Sequence, residues 1–133
     1  MESDNVLRLL DANLNRCREG LRVLEDTARF LWKDEEWFKK FRTERHRLEK
    51  MTRPFYSNFL EARDTVRDEG RKIKESGRAD LKSVVAANFR RCEESLRVVE
   101  EYGKLLSKNS ASDFKRMRFK IYNFEKKVLE KYF

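Results

Sequence analysis

Apolar residues recur every three or four positions from the beginning of the chain to about Trp32. This spacing predicts a long helix, of roughly 28 residues, with one apolar face. Three acidic residues at 34–36 then suit the positive end of the dipole of a second helix. That helix is predicted to run to about Thr52, because Pro54 cannot continue it. The apolar positions of the first helix are Val6, Leu7, Leu10, Leu14, Cys17, Leu21, Leu24, Ala28 and Leu31.

The pattern of the first helix occurs a second time in the chain. Residues 12–31 and 87–106 are identical at ten of twenty aligned positions, with an offset of 75. The second arm also has a counterpart, since 38–50 aligns with 114–126 at an offset of 76. The extra residue indicates an insertion in the loop of the second hairpin. A repeat of this size determines the architecture of the whole chain.

Two similar hairpins predict an all-α fold in which internally duplicated helical hairpins form a pseudo-two-fold helical bundle with a charged central connector. We expect one domain, 1–133, with the first repeat at about 4–52 and the second at about 80–132. The connector between them, 54–79, occurs once only. Its first part, PFYSNFLEAR, is predicted to form a short helix with Pro54 in its first turn.

Several positions that are identical in the two copies are polar. An ideal helix places Asn13 on the apolar face and Arg16 at its edge. Each such group needs a partner, because an unpaired buried polar group costs about 1–3 kcal/mol. The pairs are either a structural ion-pair network between the halves or the polar centre of a binding site at the pseudo-dyad. They are Asn13 and Asn88, Arg16 and Arg91, Glu19 and Glu94, and Arg22 and Arg97.

The connector contains a second group of candidate residues. Arginine and aspartate alternate around a glycine turn in Arg63, Asp64, Thr65, Asp68 and Gly70. A charged connector is usually a solvated loop. The same residue types would also suit a site for phosphate and Mg²⁺, with arginine on the phosphate oxygens and aspartate near the metal. Both interpretations remain open from the residues alone.

Composition and motifs restrict the function further. The net charge of +8 favours an anionic partner, such as a phosphorylated metabolite or nucleic acid. Acidic residues are interspersed among the basic ones, however, which argues against a nucleic-acid surface. The sequence lacks a Walker A loop, a dinucleotide-binding glycine motif and a Cys/His metal motif, and its single histidine is His46. Without a signal peptide or a long apolar run, we expect a cytoplasmic protein with no membrane association.

Three stretches resemble the helical hydroxymethylpyrimidine-phosphate kinase family of thiamin biosynthesis. They are DANLNRCREGLRVLED at 11–26, EARDTVRDEG at 61–70 and AANFRRCEESLRVVEEYGKL at 86–105. The resemblance implies ATP-dependent phosphorylation of 4-amino-5-hydroxymethyl-2-methylpyrimidine phosphate to its diphosphate, with ATP and Mg²⁺ required. This domain is often fused to the N-terminus of thiamin phosphate synthase. Because the sequence ends at Phe133, we expect the stand-alone form without synthase activity.

The resemblance also suggests roles for the candidate residues. Arg16, Arg91, Arg22 and Arg97 would hold phosphates, and Arg63 would take a further one. Asp64 and Asp68 would hold Mg²⁺, with Glu19 or Glu94 as an alternative ligand. Asn13 and Asn88 would read the aminopyrimidine edge or phosphate oxygens, and Thr65 and Gly70 would contribute to the binding loop. Which half binds ATP stays open.

Two other classes of function compete with the kinase. One is a non-catalytic helical module for dimerisation, regulation or anion binding, and the other is a basic RNA-associated bundle. The amphipathic faces would serve a homodimer as well as the internal pseudo-dyad. The kinase hypothesis requires a phosphorylated pyrimidine as partner and no nucleic acid.

Overall fold

The structure is a computed structural model that describes residues 2–133, without the side chains of 108–110. Within this range the chain forms helices and no strand, which confirms the all-α prediction. The five α-helices are α1 (Glu2–Asp26), α2 (Glu35–Thr52), α3 (Tyr56–Ala62), α4 (Leu81–Gly103) and α5 (Lys108–Tyr132). Helix α1 continues into a π-helical turn, Thr27–Leu31, and short 3₁₀ turns occupy Arg53–Phe55 and Glu69–Lys72. No helix in the described range is long and apolar enough to cross a membrane.

Helices α1 and α4 pack against each other at the centre of the molecule. Cys17 and Cys92, which occupy equivalent positions in the two copies, are fully buried there as free thiols. The Cys92 thiol donates to the carbonyl oxygen of Cys17 at 3.6 Å. Its hydrogen bonding with Cys17 and its burial both raise the pKa of Cys92, so this thiol stays protonated. Gly20 lies beside Cys92, which allows the two backbones to approach closely.

Helices α2 and α5 complete the bundle by packing onto α1 and α4, respectively. An aromatic cluster lies between them, in which the ring of Phe41 on α2 contacts Phe89 on α4 and Phe124 on α5. The ring of Trp37 meets that of Phe124 edge to face, with 5.1 Å between centroids. Edge-to-face contacts are a favoured arrangement of aromatic rings and add to the gain from burial.

The start of α2 links the two hairpins. Asp34 caps the helix by accepting from the backbone N–H of Trp37 at 3.1 Å. Its other oxygen accepts from Lys131 at 2.7 Å and from the Tyr132 hydroxyl at 2.5 Å, both at the end of α5. Burial opposes ionisation of Asp34, but the hydrogen bonds from Lys131, Tyr132 and Trp37 outweigh it and lower its pKa to about 2.

Two equivalent ion pairs show how each second arm lies on its first helix. Arg45 on α2 binds Glu25 with its Nε at 2.8 Å from the carboxylate, and Arg118 on α5 binds Glu100 in the same bidentate manner. The paired residues are 20 apart in the first hairpin and 18 apart in the second. In space Arg118 therefore corresponds to Arg45, whereas the alignment of 38–50 with 114–126 matches it with Arg42. The predicted insertion in the second hairpin is wrong, because the first connection is the longer one. The π-helical turn adds backbone between α1 and α2 and contributes to the longer first connection.

A buried carboxyl group on α4, that of Glu93, lies near the half-buried Glu125 of α5. Glu93 is 5% exposed, and its Oε2 has no hydrogen-bond partner among the described residues. Burial, followed by the nearby carboxyl group of Glu125, raises the pKa of Glu93 to about 8. At neutral pH the Glu93 carboxyl group is therefore mostly protonated.

The connector leaves the bundle after α3, which confirms the predicted short helix. Beyond Asp64 it runs over the surface, with all residues from 65 to 80 exposed. It is anchored at its beginning, where Arg63 and Asp64 meet α1. Asp80 then caps α4 by accepting from the backbone N–H of Ser83 at 2.8 Å.

Candidate active site

Two adjoining grooves lie beside α1 and α4, on the side crossed by the connector. We name the first the basic groove; its volume is about 780 Å³. It is bordered by five cationic side chains and one carboxylate, which are Arg16, Arg78, Lys82, Arg90, Arg91 and Glu94. We name the second the mixed groove; its volume is about 550 Å³. Its charged residues are Arg8, Arg16, Arg63, Asp11, Asp64 and Asp68.

The grooves use equivalent faces of the two repeated helices. Five α4 residues that line the basic groove match, at the repeat offset of 75, five α1 residues that line the mixed groove. The α4 set is Ser83, Ala86, Ala87, Arg90 and Arg91, and the α1 set is Arg8, Asp11, Ala12, Asn15 and Arg16. Asn13 and Arg16 line both grooves, so the grooves meet at these two residues.

An ion pair attaches the connector to the mixed groove. Arg63 binds Asp11 through two bonds, Nε to Oδ2 at 2.5 Å and Nη2 to Oδ1 at 2.9 Å. Asp11 is 6% exposed, and the hydrogen bond to it raises the pKa of Arg63. Such a bidentate pair fixes both position and orientation of the arginine. Arg63 therefore holds the connector on α1, and the nearby Arg8 adds a bond from Nη2 to the carbonyl oxygen of Asp64 at 3.3 Å.

The two connector aspartates shape the loop beside this pair. Asp64 Oδ1 accepts from the backbone N–H of Arg67 at 3.2 Å. Asp68 Oδ1 accepts from the backbone N–H of Gly70 at 2.9 Å, which starts the 3₁₀ turn. Among the described residues, no group of three or more His, Cys, Asp or Glu is placed to hold a metal. The donors fit Mg²⁺, which is commonly held by one or two carboxylates together with water and substrate phosphates.

The identical residues of the repeat divide between the grooves and the structural framework. In the copies, Asn13 and Asn88 make the same bond, from the side-chain amide to the carbonyl four residues earlier, at 2.9 and 2.8 Å. Arg91 lies in the basic groove and pairs with Glu19 of the other copy at 3.5 Å. Arg16 Nη1 donates to Asn13 Oδ1 at 3.3 Å, where the grooves meet.

Arg22 and Arg97 lie outside both grooves. Each pairs with acidic residues three and four positions later on its own helix. One of these acids is the Glu25 or Glu100 that binds the second arm. Their contacts favour the structural ion-pair network over the predicted phosphate contact. Asn88, Glu19 and Gly70 are likewise absent from the linings of both grooves, whereas Thr65 lines the mixed groove and Glu94 the basic groove.

Comparison with known proteins identifies the family to which the chain belongs. Residues 8–127 match the ThiD2 family. The chain belongs to the ThiD2 family. Similar proteins named thiamine-phosphate synthase include one from Nostoc punctiforme, 42% identical over 127 residues, which are 93% of this chain and 35% of that protein. Others come from Rhodopirellula baltica, 41% identical over 91% of this chain and 33% of the relative, and Synechocystis sp., 38% identical over 93% and 36%. No solved structure matches the chain.

This ThiD2 chain spans about a third of the length of the curated relatives that it matches. Their common name therefore describes proteins in which the matching helical region is only one part. The fold and the grooves described above concern this region.

The structure shows five further residues in the grooves of this ThiD2 chain, which comparison of the two repeats does not predict. They are Arg8, Asp11, Arg78, Lys82 and Arg90. None of them has an identical counterpart at the repeat offset, and only Arg90 lies within the aligned segments, so a search for identical pairs passes over all five. The spacing offers a partial signal, since Arg8 and Asp11 are three residues apart on α1 and Lys82 and Arg90 are eight residues apart on α4, so each pair lies on one side of its helix.

Proposed function

We propose that the chain is an ATP-dependent kinase that converts 4-amino-5-hydroxymethyl-2-methylpyrimidine phosphate to its diphosphate in thiamin biosynthesis. Family membership and the name of the relatives support the pathway. The phosphotransferase activity is the function expected from the resemblance of the three motifs. It would take place in the cytoplasm, with ATP and Mg²⁺ as requirements.

One observation carries the proposal. Two grooves with cationic side chains meet at Arg16 and Asn13, and each uses the equivalent face of one repeated helix. A kinase that acts on a phosphorylated acceptor must bring two anionic ligands into line despite their repulsion. Two adjoining anion sites with a shared arginine meet that requirement. A single-ligand binding module has no need of the second site.

The residues present supply the chemistry that such a transfer needs. Phosphoryl transfer depends chiefly on positioning and on stabilisation of charge. Arg16 lies where it can contact phosphate in either groove, and Arg91 faces the basic groove from α4. The acceptor phosphate is already anionic at neutral pH, so no strong general base is required. Asp64 and Asp68 would hold Mg²⁺, which when bound would neutralise phosphate charge.

The first experiment is an assay with ATP and Mg²⁺, in which the pyrimidine phosphate and the free alcohol serve as separate acceptors. We expect diphosphate from the phosphate acceptor. Arg16→Ala should lower kcat/KM by at least about 100-fold, since one preorganised charge contact contributes about 3 kcal/mol. Arg42→Ala, on the exposed face of α2, is the matched control and should retain wild-type activity.

Two results would contradict the proposal. One is a folded protein that forms no product from either acceptor, which would favour the non-catalytic anion-binding or dimerisation module. The other is full activity in Arg16→Ala, which would remove the shared arginine from the reaction. Circular dichroism of each variant separates loss of activity from loss of fold.

A further inference from the structure

We propose that the basic groove binds the triphosphate of ATP and that the mixed groove binds the phosphorylated acceptor. This inference rests on the proposed function and divides its substrates between the two halves of the repeat. Lys82 and Arg90 on α4 become nucleotide-binding residues by this assignment. Three properties of the grooves support this assignment: the balance of their charges, the side chains that line them and their volumes.

The basic groove has positive charge that the protein itself does not neutralise. Four of its cations have no carboxylate oxygen within 4.0 Å among the described residues; these are Arg16, Arg78, Lys82 and Arg90. Arg91 pairs only with Glu19, at 3.5 Å, and that glutamate side chain is 65% exposed. Groups of like charge repel one another, so five cations beside a single lining carboxylate, Glu94, indicate that an external anion offsets the charge. A triphosphate carries enough negative charge to do so.

The mixed groove is close to electrical balance. Its three arginines face three aspartates, and Arg63 already donates to Asp11 through both Nε and Nη2. A ligand with many negative charges would have to compete with Asp11 for Arg63 and would lie near Asp64 and Asp68. A single phosphate accompanied by a divalent cation suits this groove better. The smaller volume, about 550 Å³ against about 780 Å³, agrees with the smaller ligand.

Differences between the repeats produce this asymmetry. At the position of Asp11 the second copy has Ala86, which offers no carboxylate to attract a connector arginine. At the position of Arg8 it has Ser83, and Ala87 follows on the same face. The basic groove therefore has a floor of small side chains on α4, with Lys82 and Arg90 beside it. Small side chains allow a phosphate chain to approach the helix closely.

This assignment of the substrates would also place the two reacting phosphate groups next to each other. Arg16 and Asn13 lie at the boundary, so the terminal phosphoryl group of a triphosphate in the basic groove would face the acceptor in the mixed groove. Transfer would break the bond from the γ-phosphorus to the β–γ bridging oxygen of ATP. The same phosphorus would bond to an oxygen of the acceptor phosphate, releasing ADP and the diphosphate.

Binding measurements on Lys82→Ala and Arg90→Ala test the assignment. Isothermal titration with ATP and Mg²⁺, without acceptor, should show Kd raised at least about tenfold in each variant, with Kd for the pyrimidine phosphate changed less than twofold. Inorganic tripolyphosphate should compete with ATP in the wild type. Lys126→Ala and Arg42→Ala remove the same charges from exposed positions on α5 and α2 and should bind ATP like the wild type.

Each alternative outcome has a distinct meaning. If Lys82→Ala and Arg90→Ala keep wild-type affinity for ATP but lose affinity for the pyrimidine phosphate, the assignment is overturned, while wild-type turnover preserves the proposed kinase function. Failure of tripolyphosphate to compete would likewise overturn the triphosphate site. A wild-type protein that neither binds nor consumes ATP would overturn the assignment and the kinase together.

Discussion

Replacing Gly20 by alanine tests the close contact between the two repeated helices. A Cβ atom at this position would lie 2.7 Å from Cys92 Sγ and 3.0 Å from the carbonyl oxygen of Asn88. The oxygen belongs to the backbone and cannot rotate away. An ordinary contact with it would require α1 and α4 to separate by about 0.4 Å, and that movement would loosen the packing around them.

The expected magnitude follows from two opposing terms. Alanine is the better helix former, which would stabilise the protein by about 1 kcal/mol. Overpacking of a tightly packed core typically costs about 1–3 kcal/mol, and contact with two separate groups places Gly20→Ala at or above the upper end of that range. We expect a net loss of about 2 kcal/mol in the free energy of unfolding. For a chain of this size, Tm should fall by about 5–10 °C.

Urea unfolding, followed by circular dichroism, measures this free energy. A double-mutant cycle with Cys92→Ala identifies the contact, because that change removes the closer sulfur atom and leaves the oxygen. The double variant should be more stable than the sum of the single effects by about 1 kcal/mol. Gly77→Ala is the control, since nothing lies within 4 Å of its Cβ and stability should change by less than about 0.5 kcal/mol. A higher Tm in Gly20→Ala would refute the close approach of the helices.

Two further predictions concern buried carboxyl groups. Glu93 has a pKa of about 8 in the folded protein, against an ordinary value of 4.5, so stability is greatest below pH 4.5 as far as this group is concerned and declines as pH rises towards 8. Glu93→Gln should abolish this decline, on the order of 3 kcal/mol between pH 5 and pH 8 by urea unfolding, and an unchanged pH dependence would disprove the raised pKa. Asp11→Asn breaks the bidentate contact with Arg63 and should release the connector, so amide exchange at 63–68 should accelerate at least about tenfold and KM for the pyrimidine phosphate should rise. Unchanged protection of these amides would show that the ion pair does not anchor the connector.

Most of the helical framework could be predicted from the period of the apolar residues. The end of α2 at Thr52 and the short helix after Pro54 agree with the sequence, because proline both stops a helix and suits the first turn of the next. Burial follows the predicted face of α1 from Leu10 to Ala28. These features depend on local spacing, which is visible in one sequence.

The spacing of apolar residues could not predict the register of α2 on α1 or of α5 on α4. Successive turns of a helix present similar faces, so a shift of three or four residues changes the apolar pattern little. The alignment of 38–50 with 114–126 paired identical residues. The ion pairs of Arg45 and Arg118, by contrast, depend on the lengths of the two connections. The π-helical turn that lengthens the first connection has no clear signature in the sequence. Contacts across the fold were needed to establish the register.

The grooves show why identity between repeats is only a partial guide to function. Arg22 and Arg97 are identical, lie outside both grooves and contact the glutamates that bind the second arms, which favours a structural role. Arg16 and Arg91 are also identical, yet they face the grooves. Identity between the repeats thus occurs both at framework residues and at groove residues. Only the position of each residue in the structure distinguishes the two groups.

Differences between the two copies of the repeat explain why the two grooves are unlike. A symmetric pair of sites would bind two copies of one ligand, whereas a reaction between two substrates needs two unlike sites that adjoin. The change from Asp11 to Ala86 supplies such a difference, since Asp11 draws the connector into one groove and Ala86 leaves the other open. The changes from Leu7 to Lys82 and from Asn15 to Arg90 add positive charge to the open groove alone. Under the proposed function, divergence at these few positions of a shared helix face is what turns a duplicated hairpin into a donor site and an acceptor site that meet at Arg16.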